Sequence, residues 1–376
     1  MHIFDELGVR RIINAYGTVT TISGSKMLPE VLEVIGQAME AYVDIGELMQ
    51  KACGRIAKYL GVDAALITSG AAAAMAVAVA GCMAGNDKAR IAQLPDTNGM
   101  NNEILILKSH RFRYDQAVQL TGAKFVEVGL ADRTLSEQVI AAITDQTAAL
   151  LYLAEAESVR GSLPITQIAA LLKPAGIPLI VDAAAEMPPF ENFTRFLEQG
   201  ADLVLFSGGK DIRGPQSSGM ILGRQDLIAD CAMNNYPNHS IGRPMKVDKE
   251  TIVALVKAIE LYCQRDFVAQ MASWNVMTKR FVEALASVEG VTAWRGFPTE
   301  PGIQPATIPR AYIQLDRGKC GLSIDELSRQ LQEGNPGIAT GVLGDKLILN
   351  PQMLEEDEVD VVIYRLKEIL YDGSPL

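Results

Sequence analysis

The sequence predicts an α/β protein: a large three-layer domain built on a mostly parallel sheet covered by helices, followed by a small C-terminal α+β domain. Three observations carry that expectation. Short apolar runs alternate with helical or loop stretches between residues 64 and 207, a long stretch from 248 repeats its apolar positions every three or four residues, and the stretch after 287 alternates strand and helix patterns. The runs are continuous rather than alternating, as strands buried on both faces are. A length of 376 residues is too great for one ordinary domain and suits a large domain with a smaller one.

Residues 1–60 read as an arm and a helix. RIINAYGTVTTISGSKM is rich in Gly, Thr and Ser without clean periodicity, whereas LPEVLEVIGQAMEAYVDIGELMQKACGRIAKYLG carries apolar residues at helical spacing. Residues 61–247 form the large domain, with strands expected at AALIT (64–68), EILILK (103–108), KFVEV (124–128), AALLYL (148–153), IPLIVD (177–182) and DLVLFS (202–207). The longest apolar run, Ala71 to Ala84, is short against the ~20 residues of a bilayer span and reads as a buried helix. Residues 248–287 form a linking helix, or two in series, through Ile252, Leu255, Ile259, Tyr262, Phe267, Met271, Trp274, Met277, Phe281 and Leu285. Residues 288–376 give strands at VTAWRGF and RAYIQLD, a helix at SIDELSRQLQE, a strand pair at GIATGV and KLILN, and a terminal helix. Ser323 with Glu326 predicts a capping box at the first of these helices.

Composition narrows the function classes. With 48% hydrophobic and 21% charged residues the chain can bury a sizeable core, unlike a disordered protein. Its 34 Lys+Arg against 45 Asp+Glu leave a net charge of -11, which argues against the clustered basic footprint that a nucleic-acid backbone requires. The five cysteines are scattered without C-x-x-C spacing and the three histidines are unpaired, so free thiols in a reducing cytosol are expected and no His/Cys metal site, while a magnesium site of carboxylates stays open. MHIFDELGVRRI lacks the basic and apolar regions of a signal peptide; a cytoplasmic location with no membrane association follows as an expectation.

Three features fall at the carboxyl ends of predicted strands, where parallel-sheet enzymes bind ligands. Ser69-Gly70-Ala71 lies between AALIT and the Ala-rich helix, and a hydroxyl, a glycine and free helix N–H groups make an anion site; a serine there serves equally as an N-cap. Asp182 ends IPLIVD before Ala183, Ala184 and Ala185. Such an acid can hold a ring nitrogen protonated, cap a helix or ligate a metal. Lys210 follows two glycines in LVLFSGGKDIRGPQSSG, where a partly desolvated amine is able to form a Schiff base; taken alone it is also compatible with a solvated loop lysine. Val204 stands where a P-loop requires glycine, and no G-x-G-x-x-G follows a strand. Phosphate cup, acid and lysine in this order form the set that pyridoxal phosphate chemistry requires.

At this point the sequence resembles the fold-type I pyridoxal-phosphate enzymes, in the branch containing selenocysteine synthase and D-glucosaminate-6-phosphate ammonia lyase. INAYGTVTTISGS, GADLVLFSGGKDIRGPQSSGMILGR and GRPMKVDKETIVALVKAIELY carry the resemblance, which spans most of the chain. It implies the fold-type I transferase fold, pyridoxal 5'-phosphate as cofactor, Lys210 as the Schiff-base residue and Asp182 as partner of the pyridinium nitrogen. It further implies phosphate contacts from Ser69, Gly70, Ala71, Ala72 and Ser207, and a ring stacked on the cofactor from His110. Asparagines of the synthase phosphate loop are replaced by Ser69-Gly70-Ala71, and Arg213 comes close to the lysine. An extra domain that holds tRNA ahead of INAYG is expected to be missing.

The resulting expectation is a pyridoxal-phosphate-dependent lyase of the ammonia-lyase or dehydratase type. It would remove water and then ammonia from a small hydroxy amino acid, D-glucosaminate 6-phosphate being one candidate, to give a 2-keto acid. A selenocysteine-synthase-like transferase acting on seryl-tRNA is the alternative. Arg213, Arg243 and Arg310 are candidate partners for substrate anions, each also suited to a surface ion pair. A small-molecule substrate and a homodimer or larger homo-oligomer complete the expectation.

Overall fold

Apolar runs become strands at all six expected places, and the chain adds strands at IINA and GMILG. The structure, a computed structural model describing residues 2–300 and 302–372, divides into two compact units. One spans Met27–Arg265, and the other combines the arm up to Lys26 with the chain from Asp266 onward. In chain order the strands are β1 (Ile12–Ala15), β2 (Ala64–Thr68), β3 (Glu103–Leu107), β4 (Lys124–Val128), β5 (Thr147–Leu153), β6 (Leu179–Asp182), β7 (Leu203–Ser207), β8 (Gly219–Gly223), β9 (Val291–Gly296), β10 (Arg310–Leu315), β11 (Gly337–Leu343) and β12 (Lys346–Leu349).

The larger unit is an α/β fold on a seven-stranded sheet of order β2-β8-β7-β6-β5-β3-β4. Strands β7, β6, β5, β3 and β4 run parallel, and β8 lies antiparallel between β2 and β7. Every residue of β5 and β8 is buried, which accounts for their unbroken apolar sequences. The Ala-rich helix Ala71–Ala84 is buried along most of its length and packs on β2, β5, β6, β7 and β8. Short side chains let it lie close: a Cβ added at Gly81 would sit 2.8 Å from Cys231 Sγ on the neighbouring helix Gln225–Asn234.

Register places the strand ends that matter along one edge of this sheet. Thr68 and Ser207 both lie opposite Gly219, while Leu205, Asp182 and Leu153 form the adjoining row. The segments leaving β2, β7, β6 and β5 therefore emerge on the same side, as the parallel order requires.

The second unit carries a five-stranded sheet of order β1-β11-β12-β10-β9, antiparallel except for the parallel pair β1 and β11. Helices Phe267–Leu285, Ile324–Glu333 and Glu356–Asp372 cover it around a core that includes Phe281, Ile313, Leu327, Leu349 and Val362.

The unit boundaries differ from those expected at 60, 247 and 287. Residues 12–15 belong with the C-terminal sheet because β1 hydrogen-bonds to β11. Helices Pro29–Met39 and Ile45–Leu60 pack on Lys249–Cys263 and join the larger unit. The helical run after 248 breaks at Gln264–Asp266, where the Asp266 carboxylate accepts from Ala269 N at 2.9 Å and starts a new helix. The expected capping box is half formed: Ser323 Oγ accepts from Glu326 N at 3.2 Å, but the Glu326 carboxylate is taken by Arg329 and Gln330. All five cysteines are free, and burial pushes the Cys53 and Cys82 thiols up to about 12. Among the described residues no helix is long and apolar enough to cross a membrane, and no group of three His, Cys, Asp or Glu could hold a metal ion.

Gly219 starts β8 directly behind the turn that opens the Ala-rich helix. A Cβ there would meet Gly70 C at 2.5 Å and Ala71 N at 2.8 Å, both backbone atoms that cannot swing aside. Gly219→Ala is expected to cost about 1–3 kcal/mol through overpacking and to displace the 69–72 turn, read out as a lowered urea midpoint and weaker binding of pyridoxal phosphate; an unchanged midpoint would show that the turn yields freely.

Candidate active site

The turn after β2, the predicted anion cup, is an uncapped helix start. Gly70, at φ 111°, is the N-cap of Ala71–Ala84, and no side chain accepts from the first turn. Ser69 is thus not the N-cap, and the first N–H groups remain available for an anion. Only glycine adopts this backbone easily, and a Cβ on it would meet nothing within 4 Å, so the approach to the cup is open. Ser207, two strands away, ends β7 on the same row.

Lys210 stands on a tight turn that follows β7. Gly208 N donates to Ser218 O at 2.9 Å, Gly214 N to Gly208 O at 2.8 Å, and Arg213 N to Lys210 O at 3.0 Å with Arg213 at φ 59°. The residue after the lysine fastens this turn to the protein. Asp211, 1% exposed, accepts from Tyr262 Oη at 2.8 Å and from the Arg265 guanidinium at 2.8 Å. Burial, with Asp211 alongside, drives the Tyr262 hydroxyl far above its ordinary range, keeping it a donor.

Lys210 and Asp182 meet in one cleft, whose cavity volume is about 60 Å³. Ala184 and Ala185 leave room beside Asp182, Phe112 and Tyr114 supply aromatic walls, and Glu155 and Glu186 add two further carboxyls. Asp182 accepts from Ala184 N at 3.0 Å, yet burial pushes its carboxyl up to about 6; that N–H and Lys210 pull it down, and Glu155 pushes it further up. Burial lowers Lys210, opposed by Asp182, Glu155 and Glu186. Glu186 is pushed up to about 7 by burial and then by Glu155, with Arg195 and Lys210 acting the other way. A buried carboxylate this short of positive charge is suited to a cationic ring nitrogen, and Lys210, depressed toward the neutral amine, is suited to attack an aldehyde. Together with the open anion cup, these residues fit pyridoxal phosphate.

The other predicted residues are placed differently. His110 is 1% exposed and does not line the cleft; its Nδ1 accepts from Leu153 N at 3.1 Å, its Nε2 lies 2.9 Å from Ser162 Oγ, and its ring meets Tyr152 edge-on at 4.4 Å. The structure thus gives His110 interior partners and puts Phe112 and Tyr114 on the cleft wall. Arg213 lies on the lysine turn, and Arg243 is exposed, over the Tyr236 ring. Arg310 belongs to the other unit, where it is 1% exposed and donates to the carbonyls of Ile308, Pro309 and Pro305. That unit also has a hollow of about 630 Å³ lined by Thr292, Gln314, Asp316 and Lys319, which holds none of the predicted residues. Sequence reasoning missed Glu155, Glu186 and Asp211. The first two had a signal in their positions just past β5 and β6, the same strand-end argument that found Asp182.

Fold and site together define a pyridoxal-phosphate-dependent enzyme of fold type I. The chain belongs to the family described as SelA: L-seryl-tRNA selenium transferase, which it matches over residues 12–287. It is 33% identical to D-glucosaminate-6-phosphate ammonia lyase of Salmonella typhimurium, covering 98% of each chain. It is also 33% identical to 5'-C-glycyluridine monooxygenase-decarboxylase of a Streptomyces species, over 99% of this chain and 93% of that one. A solved D-glucosaminate-6-phosphate ammonia-lyase superposes with a TM-score of 0.86 at 32% identity, covering 99% of both chains. A serine palmitoyltransferase of S. paucimobilis, solved with PLP-myriocin bound, shares the fold alone, at TM-score 0.58 and 10% identity over 97% of this chain and 88% of that one. The sequence reading of a lyase-type enzyme that uses pyridoxal phosphate, in the ammonia-lyase and selenocysteine-synthase branch, is borne out.

Two measurements check these placements. Borohydride reduction of the holoenzyme followed by peptide mapping is expected to put the pyridoxyl label on Lys210, and Lys210→Ala to abolish labelling and visible absorbance with an unchanged far-UV spectrum; a label on Lys26 or Lys246 would refute the assignment. His110 is held down to about 4 by burial. A depressed histidine contributes stability that is complete above its unfolded value of about 6.5 and lost as the pH falls toward 4, roughly 3 kcal/mol in all. The raised Asp182 and Glu186 act in the opposite sense, favouring the fold on acidification, so the comparison isolates His110: the urea midpoint of His110→Asn should fall less than that of the wild type between pH 6.5 and 4.

Proposed function

We propose that the enzyme removes ammonia from a small hydroxy amino acid carrying an acidic or phosphorylated tail, with D-glucosaminate 6-phosphate the leading candidate, and releases a 2-keto acid. The observation that carries this is the meeting of Lys210, Asp182 and two further carboxyls in one cleft, on the sheet edge where β2 and β7 also end. Full-length identity of 33% to an ammonia lyase supports the substrate class.

When bound, pyridoxal phosphate supplies an electron sink for charge developing at the substrate Cα. The 69–72 turn with Ser207 would hold its phosphate, and the Asp182 carboxylate would keep the proton on its ring nitrogen. Lys210 would hold the cofactor's aldehyde and, as an amine with lowered basicity, would take the Cα proton. The cramped turn tied down by Asp211 keeps that amine within reach. Loss of the β-hydroxyl and attack by water then give the keto acid and ammonia. Arg213, on the lysine turn, and Arg243 are the candidate cations in this unit for the substrate's anionic groups. A cytoplasmic location and an assembly of two or more copies complete the proposal.

The transferase alternative requires a polyanionic RNA to approach a subunit of net charge -11. Purified holoenzyme is expected to release ammonia and keto acid from D-glucosaminate 6-phosphate or another β-hydroxy amino acid with no RNA present, and filter binding should detect no serine-charged tRNA at moderate salt. Salt-sensitive binding at micromolar strength or tighter, with selenium- or sulfur-dependent conversion of the seryl group, would put the transferase first.

A further inference from the structure

Cleaving the β-hydroxyl from a substrate demands a proton for the departing oxygen, since hydroxide is a poor leaving group. Two groups in the cleft already have work: Asp182 faces the ring nitrogen, and Lys210 takes the Cα proton. Glu155 and Glu186 are left over. Among the described residues neither carboxyl has a hydrogen-bond or ion-pair partner, and the Lys210 amine is not ion-paired to either, although all three line the same cleft.

Glu186 is the better placed of the two, because its backbone is built rather than merely located. Ala183 N donates to Leu205 O at 3.0 Å, tying the segment after β6 to β7, and Glu186 N closes a turn onto Ala183 O at 3.1 Å. Asn192, 3% exposed, donates its amide to Glu186 O at 2.5 Å. These bonds hold Glu186 on the cleft wall four residues after Asp182.

We propose that Glu186 is the catalytic acid that protonates the β-hydroxyl as it departs, an inference that rests on the lyase reading above. The Cβ–O bond breaks with its electron pair moving to oxygen, the Glu186 carboxyl proton joins that oxygen to make water, and the carboxylate regains a proton from solvent before the next turnover. The charged groups facing Glu186 are Glu155 and Asp182, which favour its protonated form, and Lys210 and Arg195, which oppose it. Burial tips the balance toward the acid, with a value of about 7.

The test separates proton delivery from mere architecture by changing the leaving group. Wild type, Glu186→Gln and Glu186→Asp are assayed on D-glucosaminate 6-phosphate and on its 3-chloro-3-deoxy analogue, whose chloride departs without a proton. Glu186→Gln is expected to lose about 100-fold or more on the hydroxy substrate while staying within about threefold of wild type on the chloro analogue, and Glu186→Asp to recover part of the loss. Equal losses on both substrates, or no loss on either, would overturn the proposal. Inactivity of the wild type on both would instead defeat the lyase reading, and this inference with it. A second readout needs no turnover: near pH 6 the infrared spectrum of cofactor-free Asp182→Asn should show a protonated carboxyl band that the Asp182→Asn, Glu186→Gln double variant lacks, and an equal band in both would count against an acidic Glu186.

Discussion

The pairing of Asp211 with Tyr262 and Arg265 is the interaction on which the site depends. Lys210 sits on a turn of small residues with little side-chain mass to hold it, and the following carboxylate, fully buried, locks that turn to the end of the helix Lys249–Cys263. Removing one partner of such a buried pair strands a charge and costs several kcal/mol, about 3–5 in comparable cases, so the turn cannot wander without a large penalty. The placing of Lys210 is obtained here from a neighbour that does not line the cleft.

The cleft's charge distribution is a second constraint. Three carboxyls surround one amine in a confined space, and burial pushes two of those carboxyls well above the carboxylate range. Such crowding is unfavourable until a cation arrives. The sheet makes it possible, because register puts the exits of β5, β6 and β7 side by side and the fold absorbs the electrostatic strain. Site and scaffold are therefore coupled through the strand ends.

Much of this was legible in the sequence. Strands β2 and β4 occupy the expected residues, and Lys210 and Asp182, singled out for their positions after buried strands, line one cleft. What escaped had physical reasons. β8 is short, begins and ends in glycine and follows the lysine turn directly, so it reads as more loop; β1 is four residues inside a Gly/Thr-rich arm and exists because β11 offers it an edge. The partners of the His110 ring nitrogens, Leu153 N and Ser162 Oγ, come from the interior, and periodicity carries no information about those. Asp211 gave no signal, since its partners lie more than fifty residues downstream and only the fold brings them near.

The pairing of β1 with β11 also bears on how the protein is made. One unit is a continuous stretch of chain from 27 to 265, whereas the other takes its sheet from both ends of the polypeptide. On the ribosome the continuous unit, with its lysine turn and the Arg265 that secures it, can be complete while the C-terminal residues are still untranslated. The N-terminal strand meanwhile has no edge to join. It must wait, exposed, for β11 to be synthesised, so the period of greatest vulnerability to aggregation falls on the arm, after the catalytic unit has folded.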